Sequence, residues 1–289
     1  MDRMELKALG KINLGLDVLG RRENGYHDVR MVMQTLYLYD KVTLIKKEEP
    51  GIEIESNLYF LPKDSGNIAW KAAKLLMEEF HISGGIKIIL NKYIPVAAGM
   101  AGGSSNAAAV LYGMNKMYQL GLSQQELMDR GVKLGADVPY CIMRGTVLAE
   151  GIGEILSPLP PMPKCQILIA KPAVSVSTRA VYEAIDSKEI EEHPDIDGIL
   201  EGLQKQDLKK ITSSMGNVLE KVTIDMHPEI AQIKNCMLEN GALGAMMSGS
   251  GPTVFGIFRG YASAQKAYEK VKAQGIAKQL YVTGVYNTR

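Results

Sequence analysis

The stretch Pro95-Val-Ala-Ala-Gly-Met-Ala-Gly-Gly-Ser-Ser-Asn-Ala-Ala-Ala109 decides the fold, because a run of small residues joins a predicted strand to a predicted helix. The isoleucine-rich run 86–94 is typical of a strand, and residues 107–120 are typical of a helix. Glycines let the backbone approach a ligand closely and adopt positive φ, and the N–H groups at a helix start have no intrahelical partner. The junction therefore predicts an anion site suited to phosphate.

The polar residues of this loop extend the prediction. Ser104, Ser105 and Asn106 are each able to cap the helix, and a remaining serine hydroxyl is able to reach a phosphate oxygen or its metal. The alternative is that the glycines only allow the helix to pack tightly on a sheet. No Gly-x-x-x-x-Gly-Lys-Ser/Thr sequence occurs, which excludes a Walker P-loop. The loop also lacks Gly-x-Gly-x-x-Gly, which disfavours a Rossmann dinucleotide site.

Length and composition predict a globular protein with two domains. The chain has 289 residues, of which 46% are hydrophobic and 22% are charged, and this length allows two cores. Four prolines within residues 156–163 mark a change in composition. We place the domain boundary there, with an N-terminal ATP-binding and catalytic lobe over residues 1–160 and a C-terminal substrate-side lobe over residues 161–289.

Charge and cysteine content restrict the partners and the compartment. A net charge of +1 gives no general attraction to nucleic acid or to a membrane surface. Three widely spaced cysteines without histidines at metal-ligand spacing indicate buried thiols in a reducing compartment. The first residues contain no apolar signal core, and no apolar run is long enough for a membrane helix. These features predict a cytoplasmic protein.

The first hundred residues alternate between strand and turn signals. Residues 11–18 alternate strictly, so we expect Lys11, Asn13 and Asp17 to share one polar strand face. Asn24-Gly25 predicts a hairpin turn, followed by strands at 29–38 and 41–45. An amphipathic helix is predicted over 67–80, with Trp70 in the core.

Further signals order the remainder of the chain. Ser123 and Glu126 form a capping-box pattern at the start of a helix. The sequence Gly135-Ala-Asp-Val-Pro139 predicts a helix stop and a rigid turn that holds Asp137. The polar stretch 186–208 is predicted as exposed helix and loop. Strands at 244–247 and 253–258 flank the second small-residue turn, Ser248 to Pro252.

Three motifs in register make the chain resemble the GHMP kinases, the superfamily of galactokinase, homoserine kinase, mevalonate kinase and phosphomevalonate kinase. The motifs are Lys11-Ile-Asn-Leu, the glycine-containing stretch from Pro95, and Met247-Ser-Gly-Ser-Gly-Pro-Thr-Val-Phe255. The family's loop usually carries more glycine where this chain has Ala97, Ala98, Met100 and Ala101.

The resemblance implies an α+β fold of two domains. The N-terminal lobe would be similar to ribosomal protein S5 domain 2, and the C-terminal lobe would be ferredoxin-like, with the active site in the cleft between them. It implies an ATP-dependent transferase, with Mg²⁺ entering as the ATP complex. Three further pieces, Gly25-Tyr-His27, Gly135 to Pro139 and Val174-Ser-Val-Ser-Thr178, resemble the members that serve the non-mevalonate isoprenoid pathway. Their substrate is a small molecule carrying a cytidine diphosphate, phosphorylated on the 2-hydroxyl of its methylerythritol.

By motif match, the resemblance assigns roles to individual residues. Asp137 would be the general base and Lys11 its neighbouring cation. The substrate contacts would be Asn13, Tyr26, His27, Thr178 and Tyr182. The residues that would hold the ATP phosphates are Pro95, Val96, Ala97, Ala98, Gly99, Met100, Ala101, Gly102, Gly103, Ser104 and Ser105.

Two alternatives stay open from the sequence. A homoserine or mevalonate kinase is disfavoured, because neither of those acceptors has a base that Tyr26, His27 and Tyr182 could stack against. A nucleotide-binding scaffold without chemistry would keep the loop but would not need Asp137. The sequence assigns no metal ligand and is compatible with a monomer or a homodimer.

Overall fold

A long hairpin opens the chain. Strand β1 (Arg3–Arg21) turns at residues 22–26 into β2 (His27–Lys47). Gly25 adopts φ 84°, which confirms the predicted Asn-Gly turn. The two strands predicted at 29–38 and 41–45 are one strand, because residues 39 and 40 continue the extended backbone. The structure, a computed structural model, describes residues 1–187, 190 and 192–287.

The remaining elements alternate in an α+β pattern. In chain order they are β3 (Gly51–Ser56), α1 (Ile68–Glu79), β4 (Gly85–Asn91), α2 (Gly102–Met117), α3 (Gln124–Val132), α4 (Asp137–Met143), β5 (Thr146–Glu150), β6 (Ile155–Pro158), β7 (Gln166–Lys171), α5 (Thr178–Ile185), α6 (Ile196–Gln204), α7 (Leu208–Ser214), β8 (Gly216–Asn217), α8 (Val218–Met226), α9 (Glu229–Glu239), β9 (Gly244–Met247), β10 (Val254–Phe258), α10 (Tyr261–Ala273) and β11 (Gln279–Gly284).

The chain divides into two compact units that interleave along the sequence. Unit 1 comprises Met1–Gly10, Leu38–Val96 and Ala101–Met143. Unit 2 comprises Lys11–Tyr37, Ala97–Met100 and Arg144–Arg289. The domain boundary at residue 160 stays a prediction, because compactness alone does not define where a domain of the sequence ends.

Unit 1 builds its core from the second half of β2 and the helices around it. β4 lies between β2, with which it pairs antiparallel from Lys41 to Lys47, and β3, with which it pairs parallel. Helices α1 and α2 pack on each other, and α4 packs on α2 and α3. Ile86, Ile88 and Leu90 are buried along β4, as the isoleucine-rich run predicts.

Unit 2 contains a four-stranded antiparallel sheet in the order β11-β7-β10-β9, with α9 and α10 packed against it. The predicted hairpin of β9 and β10 is confirmed by the register Val254 to Met247. In the same unit, the first half of β2 pairs with β5, and β1 pairs with β8 at Gly15 and Leu16.

Lys11, Asn13 and Asp17 on β1 are buried (5%, 0% and 6% exposed). Three local predictions differ from the structure. Trp70 is half-buried on α1, not in the core, because Lys74 and solvent share its ring. The stretch 186–208, predicted as exposed helix and loop, contains α6, which buries Ile196, Ile199 and Leu203; residues 188, 189 and 191 lie outside the described residues.

The third difference concerns Asp137. The chain does not stay in a turn there: Asp137 begins α4, and Pro139 lies in its first turn. A proline is tolerated at that position, since the N–H groups of a first turn have no intrahelical acceptor. The capping box of Ser123 and Glu126 on α3 is confirmed.

The three cysteines are buried, and the burial of Cys165 predicts how slowly its thiol reacts. Burial raises the pKa of the Cys165 thiol to about 12. At pH 8 the native thiol is therefore protonated, and we expect maleimide to label Cys165 at least about tenfold more slowly than in 6 M guanidinium, where the pKa returns to about 8.5. Because the folded-state pKa is the higher one, this group destabilises the fold as the pH rises above about 8.5. Mass spectrometry of time-quenched samples measures the rates, and equal rates would contradict burial of the thiol.

Within the ranges that the structure describes, no helix is both long enough and apolar enough to cross a membrane.

Candidate active site

The glycine-containing loop runs from β4 into α2, which begins at Gly102, earlier than the sequence predicts. The N-cap is Ala101, in the left-handed region at φ 54°, and no side chain caps the helix. The prediction that Ser104, Ser105 or Asn106 caps α2 is therefore wrong, because all three lie inside its first turns. The first N–H groups of α2 are left available for an external anion.

The backbone of this loop is left-handed at three positions. Ala97, Gly99 and Ala101 alternate in the left-handed region, with φ of 50°, 71° and 54°. An L-residue in this region costs about 1–2 kcal/mol. Two alanines therefore adopt the conformation that glycine would adopt without strain.

This strain leads to a stability prediction. Ala101→Gly should raise the free energy of unfolding by about 0.5–1 kcal/mol, because relief of the left-handed strain exceeds the entropy cost of glycine. Ala262, exposed in α10, provides the control, since Ala262→Gly should lower stability by about 0.5–1 kcal/mol. Urea denaturation measures both variants, and equal destabilisation by the two would contradict the strain at Ala101.

A buried polar cluster fixes the entry to the loop within unit 1. The carboxylate of Asp40, fully buried, accepts hydrogen bonds from the backbone N–H groups of Tyr93 (2.7 Å) and Ile94 (2.8 Å). Its second oxygen contacts the ammonium of Lys92 and the side-chain amide of Asn106 (2.9 Å). Burial lowers the pKa of Lys92, an effect that the adjacent Asp40 carboxylate opposes.

The cluster connects the last residues before the loop to the first turns of the helix after it. Lys92 also donates to the Asn106 side chain at 2.7 Å. A Cβ on Gly102 would lie 3.3 Å from the Lys92 nitrogen, so a larger residue at the helix start would press on the ammonium. Sequence reasoning missed this cluster, because its members are separated by up to 66 residues and no local pattern relates them.

Breaking the cluster should destabilise the protein strongly. We expect Asp40→Asn to lower the free energy of unfolding by about 3–5 kcal/mol, because it leaves the buried ammonium of Lys92 without its counter-charge. Asp129→Asn is the control: this carboxylate is exposed on α3 and bonds only Gln125 among the described side chains, so its loss should cost less than about 0.5 kcal/mol. Urea denaturation measures both, and a loss below 1 kcal/mol for Asp40→Asn would refute the role of the pair.

In unit 2, residues 97–100 dock on the second small-residue turn. The Ser248 hydroxyl donates to the Gly99 carbonyl oxygen at 3.0 Å, and the backbone of Gly99 lies directly over the Ser248 carbonyl. A Cβ on Gly249, whose φ is 58°, would lie 3.2 Å from the Gly99 carbonyl oxygen. The structure thus brings together two loops that the sequence singles out separately.

Two side chains from the start of α8 hold that second turn. Asn217 donates to the carbonyl oxygens of Met247 (2.9 Å) and Gly249 (2.8 Å). Glu220 accepts from the N–H of Met247 at 2.7 Å and pairs with Lys234. Sequence reasoning missed both. The signal available was the N-cap pattern of Asn217, whose side chain also accepts from the N–H of Leu219.

The polar face of β1 lies beside the same loops of unit 2. The Lys11 ammonium donates to the Asn13 side-chain oxygen at 2.6 Å, and the Lys11 N–H donates to the Met100 carbonyl at 3.2 Å. Asn13 in turn points its amide at the sulfur of Met31 (3.4 Å). The ammonium is therefore oriented by its neighbour two residues along the strand.

The residues expected to surround the base also lie in unit 2. The rings of His27 and Tyr182 have centroids 4.8 Å apart at an interplanar angle of 37°. The Thr178 hydroxyl lies 2.8 Å from that of Ser250, which links the start of α5 to the second turn. Tyr26 is 58% exposed.

Asp137 belongs to unit 1. Its carboxylate is half-buried at the first residue of α4 and makes no hydrogen bond to a side chain described in that unit. Within the described residues, no three His, Cys, Asp or Glu side chains gather as a set of metal ligands.

Comparisons with known proteins cover nearly the whole chain. Residues 67–145 match the model of the GHMP kinases N terminal domain, and residues 199–277 match that of the GHMP kinases C terminal region. A protein of Lachnospira eligens named 4-diphosphocytidyl-2-C-methyl-D-erythritol kinase is 55% identical over 286 residues, which cover 99% of both chains.

Solved structures show the same likeness. The crystal structure of a 4-(cytidine 5'-diphospho)-2C-methyl-D-erythritol kinase has a TM-score of 0.84 and 31% sequence identity, covering 99% of this chain and 100% of that one. The crystal structure of homoserine kinase from Cytophaga hutchinsonii has a TM-score of 0.80 at 23% identity, covering 99% of this chain and 95% of that one. The second likeness concerns the fold alone.

Proposed function

The chain belongs to the GHMP kinase family, and from this premise we propose that it transfers the γ-phosphate of ATP to the 2-hydroxyl of 4-diphosphocytidyl-2-C-methyl-D-erythritol. The family assignment confirms the GHMP kinase fold expected from the three motifs. The full-length relative at 55% identity supports the choice of acceptor. The reaction belongs to the non-mevalonate route to isoprenoid precursors.

The observation that carries the phosphoryl chemistry is the uncapped start of α2. Its free N–H groups follow a loop that is held at one end by Asp40 and Lys92 and is docked at Gly99 on the second turn. Phosphoryl transfer depends chiefly on positioning and on charge neutralisation. A preorganised row of N–H donors supplies both to the ATP phosphates without reorganising during the reaction.

We assign the acceptor chemistry to Asp137 and Lys11. Asp137 accepts the proton of the 2-hydroxyl as the new oxygen–phosphorus bond forms and the bond to ADP breaks. Lys11, oriented by Asn13 at 2.6 Å, supplies positive charge that attracts the migrating phosphoryl group. Tyr26, His27 and Tyr182 surround the cytosine, and Thr178 lies near the substrate.

We propose that Mg²⁺ binds to the protein as its complex with ATP. We propose that the ion is held mainly by ATP phosphates and water. Ser104, half-buried in the first turn of α2, is the protein oxygen that we propose for it. The ion would neutralise charge on the β- and γ-phosphates.

We also propose a monomer or homodimer acting in the cytoplasm. Every proposed site residue comes from one chain, so no second copy is needed to complete the site. The three buried thiols suit a reducing compartment. Sedimentation velocity tests the size, and a larger assembly as the active species would contradict it.

The test of the function is a substrate comparison. The purified protein is incubated with γ-labelled ATP, Mg²⁺ and either the cytidyl substrate, mevalonate or homoserine. We expect kcat/KM for the cytidyl substrate to exceed the other two by at least 10³-fold, because only that acceptor carries a base for His27 and Tyr182. Preferential labelling of mevalonate or homoserine would refute the proposed acceptor. Binding of nucleotide without labelling of any alcohol would favour the scaffold alternative.

A further inference from the structure

One face of α5 carries three residues that each make a contact in the proposed substrate region. Thr178, Tyr182 and Asp186 are spaced four apart, from the first residue of the helix to its C-cap, so they lie on the same side. Thr178 contacts Ser250, and Tyr182 packs its ring against His27. Asp186 is the one member of this row to which the proposed function gives no role.

Asp186 makes a close contact with a proposed substrate residue. Its Oδ1 lies 2.6 Å from Nε2 of His27, and the two residues are 159 positions apart in the chain. The side chain of His27 is only 8% exposed, and that of Asp186 is 23% exposed. The second carboxylate oxygen lies 3.3 Å from a guanidinium nitrogen of Arg21, at the end of β1.

This contact differs from an ordinary surface ion pair. The same helix offers a comparison, because Arg179 and Glu183 pair at 2.7 Å with side chains that are 87% and 60% exposed. Such pairs contribute little, since water competes for both partners. The imidazole of His27 is instead enclosed by the Tyr182 ring and the Asp186 carboxylate.

The contact with Asp186 determines which ring nitrogen of His27 carries the proton. An ionised carboxylate only accepts hydrogen bonds, so Nε2 of His27 carries the proton that it donates to Asp186. In the neutral ring, Nδ1 is then left as an acceptor. Tyr182 restricts the tilt of the ring, and Asp186 restricts its rotation.

We propose that Asp186 is a positioning residue for recognition of the cytidine base, acting through His27. It holds the imidazole in one orientation and one tautomer, so that binding does not have to order the ring. Arg21 keeps the carboxylate turned toward His27. The proposal rests on the proposed function for the identity of the ligand, but the contact itself is independent of turnover.

The test compares Asp186→Ala with Glu183→Ala, a matched control on the same helix. We expect Asp186→Ala to raise KM for the cytidyl substrate and Kd for cytidine 5'-diphosphate about tenfold, the effect of losing one hydrogen bond to a charged group. kcat and KM for ATP should stay within twofold, and Glu183→Ala should leave all four constants within twofold. Asp186→Asn, which keeps one oxygen acceptor, should fall between wild type and Asp186→Ala.

Nitrogen-15 NMR of the imidazoles measures the tautomer of His27. A purely structural role for Asp186 would leave that tautomer unchanged. The chain has four histidines, so His27→Gln identifies the signals of His27. Wild type should show the Nε2–H form, and Asp186→Ala should show a mixture of tautomers. Unchanged His27 signals in Asp186→Ala, or a KM change below twofold, would overturn the proposal. A wild type that binds cytidine diphosphate tenfold more tightly than Asp186→Ala yet phosphorylates nothing would refute the proposed function alone.

Discussion

Asp137→Asn is expected to lower kcat for the cytidyl substrate by about 10²–10⁴-fold, the range for loss of a general base. Asparagine has nearly the same shape but cannot take up the proton of the 2-hydroxyl. KM for both substrates should change by less than about threefold, because the role assigned to Asp137 is confined to the transition state. Steady-state kinetics with coupled detection of ADP measures both parameters.

The control for this variant is Asp129→Asn, which removes an exposed carboxylate from α3 and should leave kcat within twofold. Circular dichroism and urea denaturation establish that both variants fold alike. A kcat for Asp137→Asn within threefold of wild type would remove the general base from the account. A nucleotide-binding scaffold predicts that result.

Gly99→Ala is expected to lower the free energy of unfolding by about 2–5 kcal/mol and to weaken ATP binding at least tenfold. A Cβ at this position would lie 2.0 Å from the Ser248 carbonyl oxygen, so one of the two backbones has to move. Overpacking costs about 1–3 kcal/mol, and the left-handed φ of 71° adds about 1–2 kcal/mol for an L-residue. Displacing the loop also disturbs the approach to the start of α2.

Gly275→Ala separates these two contributions. Gly275 has a similar φ, 68°, but no atom lies within 4 Å of the added Cβ. Its replacement should therefore cost only about 1–2 kcal/mol and leave ATP binding within twofold. Urea denaturation and calorimetric titration of a non-hydrolysable ATP analogue measure the pair. Equal losses of stability for the two variants would contradict the docking of Gly99 on Ser248.

Local chemistry made much of the fold predictable. The Asn24-Gly25 turn, the capping box at Ser123 and the β9–β10 hairpin each depend on residues a few positions apart. Their preferences act through backbone angles and orphan N–H groups, which a single sequence displays. The sequence predicts a later start for α2 than the structure shows, because the prediction relied on the same local preferences. Ser104 to Asn106 are good caps in isolation, yet a left-handed Ala101 begins the helix earlier.

The contacts that position the site could not be predicted in this way. Asp40 reaches Asn106 across 66 residues, and Asp186 reaches His27 across 159. The tertiary fold determines which distant residues form such pairs. An aspartate at the end of a strand or helix commonly caps a turn, so its presence alone does not indicate a distant partner. The family resemblance assigned His27 a role, but nothing in the local sequence indicated which side chain would orient it.

The most direct test of the central claim is phosphorus NMR of the product formed from ATP and the cytidyl substrate. C2 of the methylerythritol carries a methyl group and no hydrogen. Transfer to the 2-hydroxyl should therefore give one new monoester signal without three-bond coupling to a carbinol proton, in step with the appearance of ADP. A new signal split by such protons would place the phosphate on another hydroxyl, and ADP formed with inorganic phosphate alone would contradict the kinase activity itself.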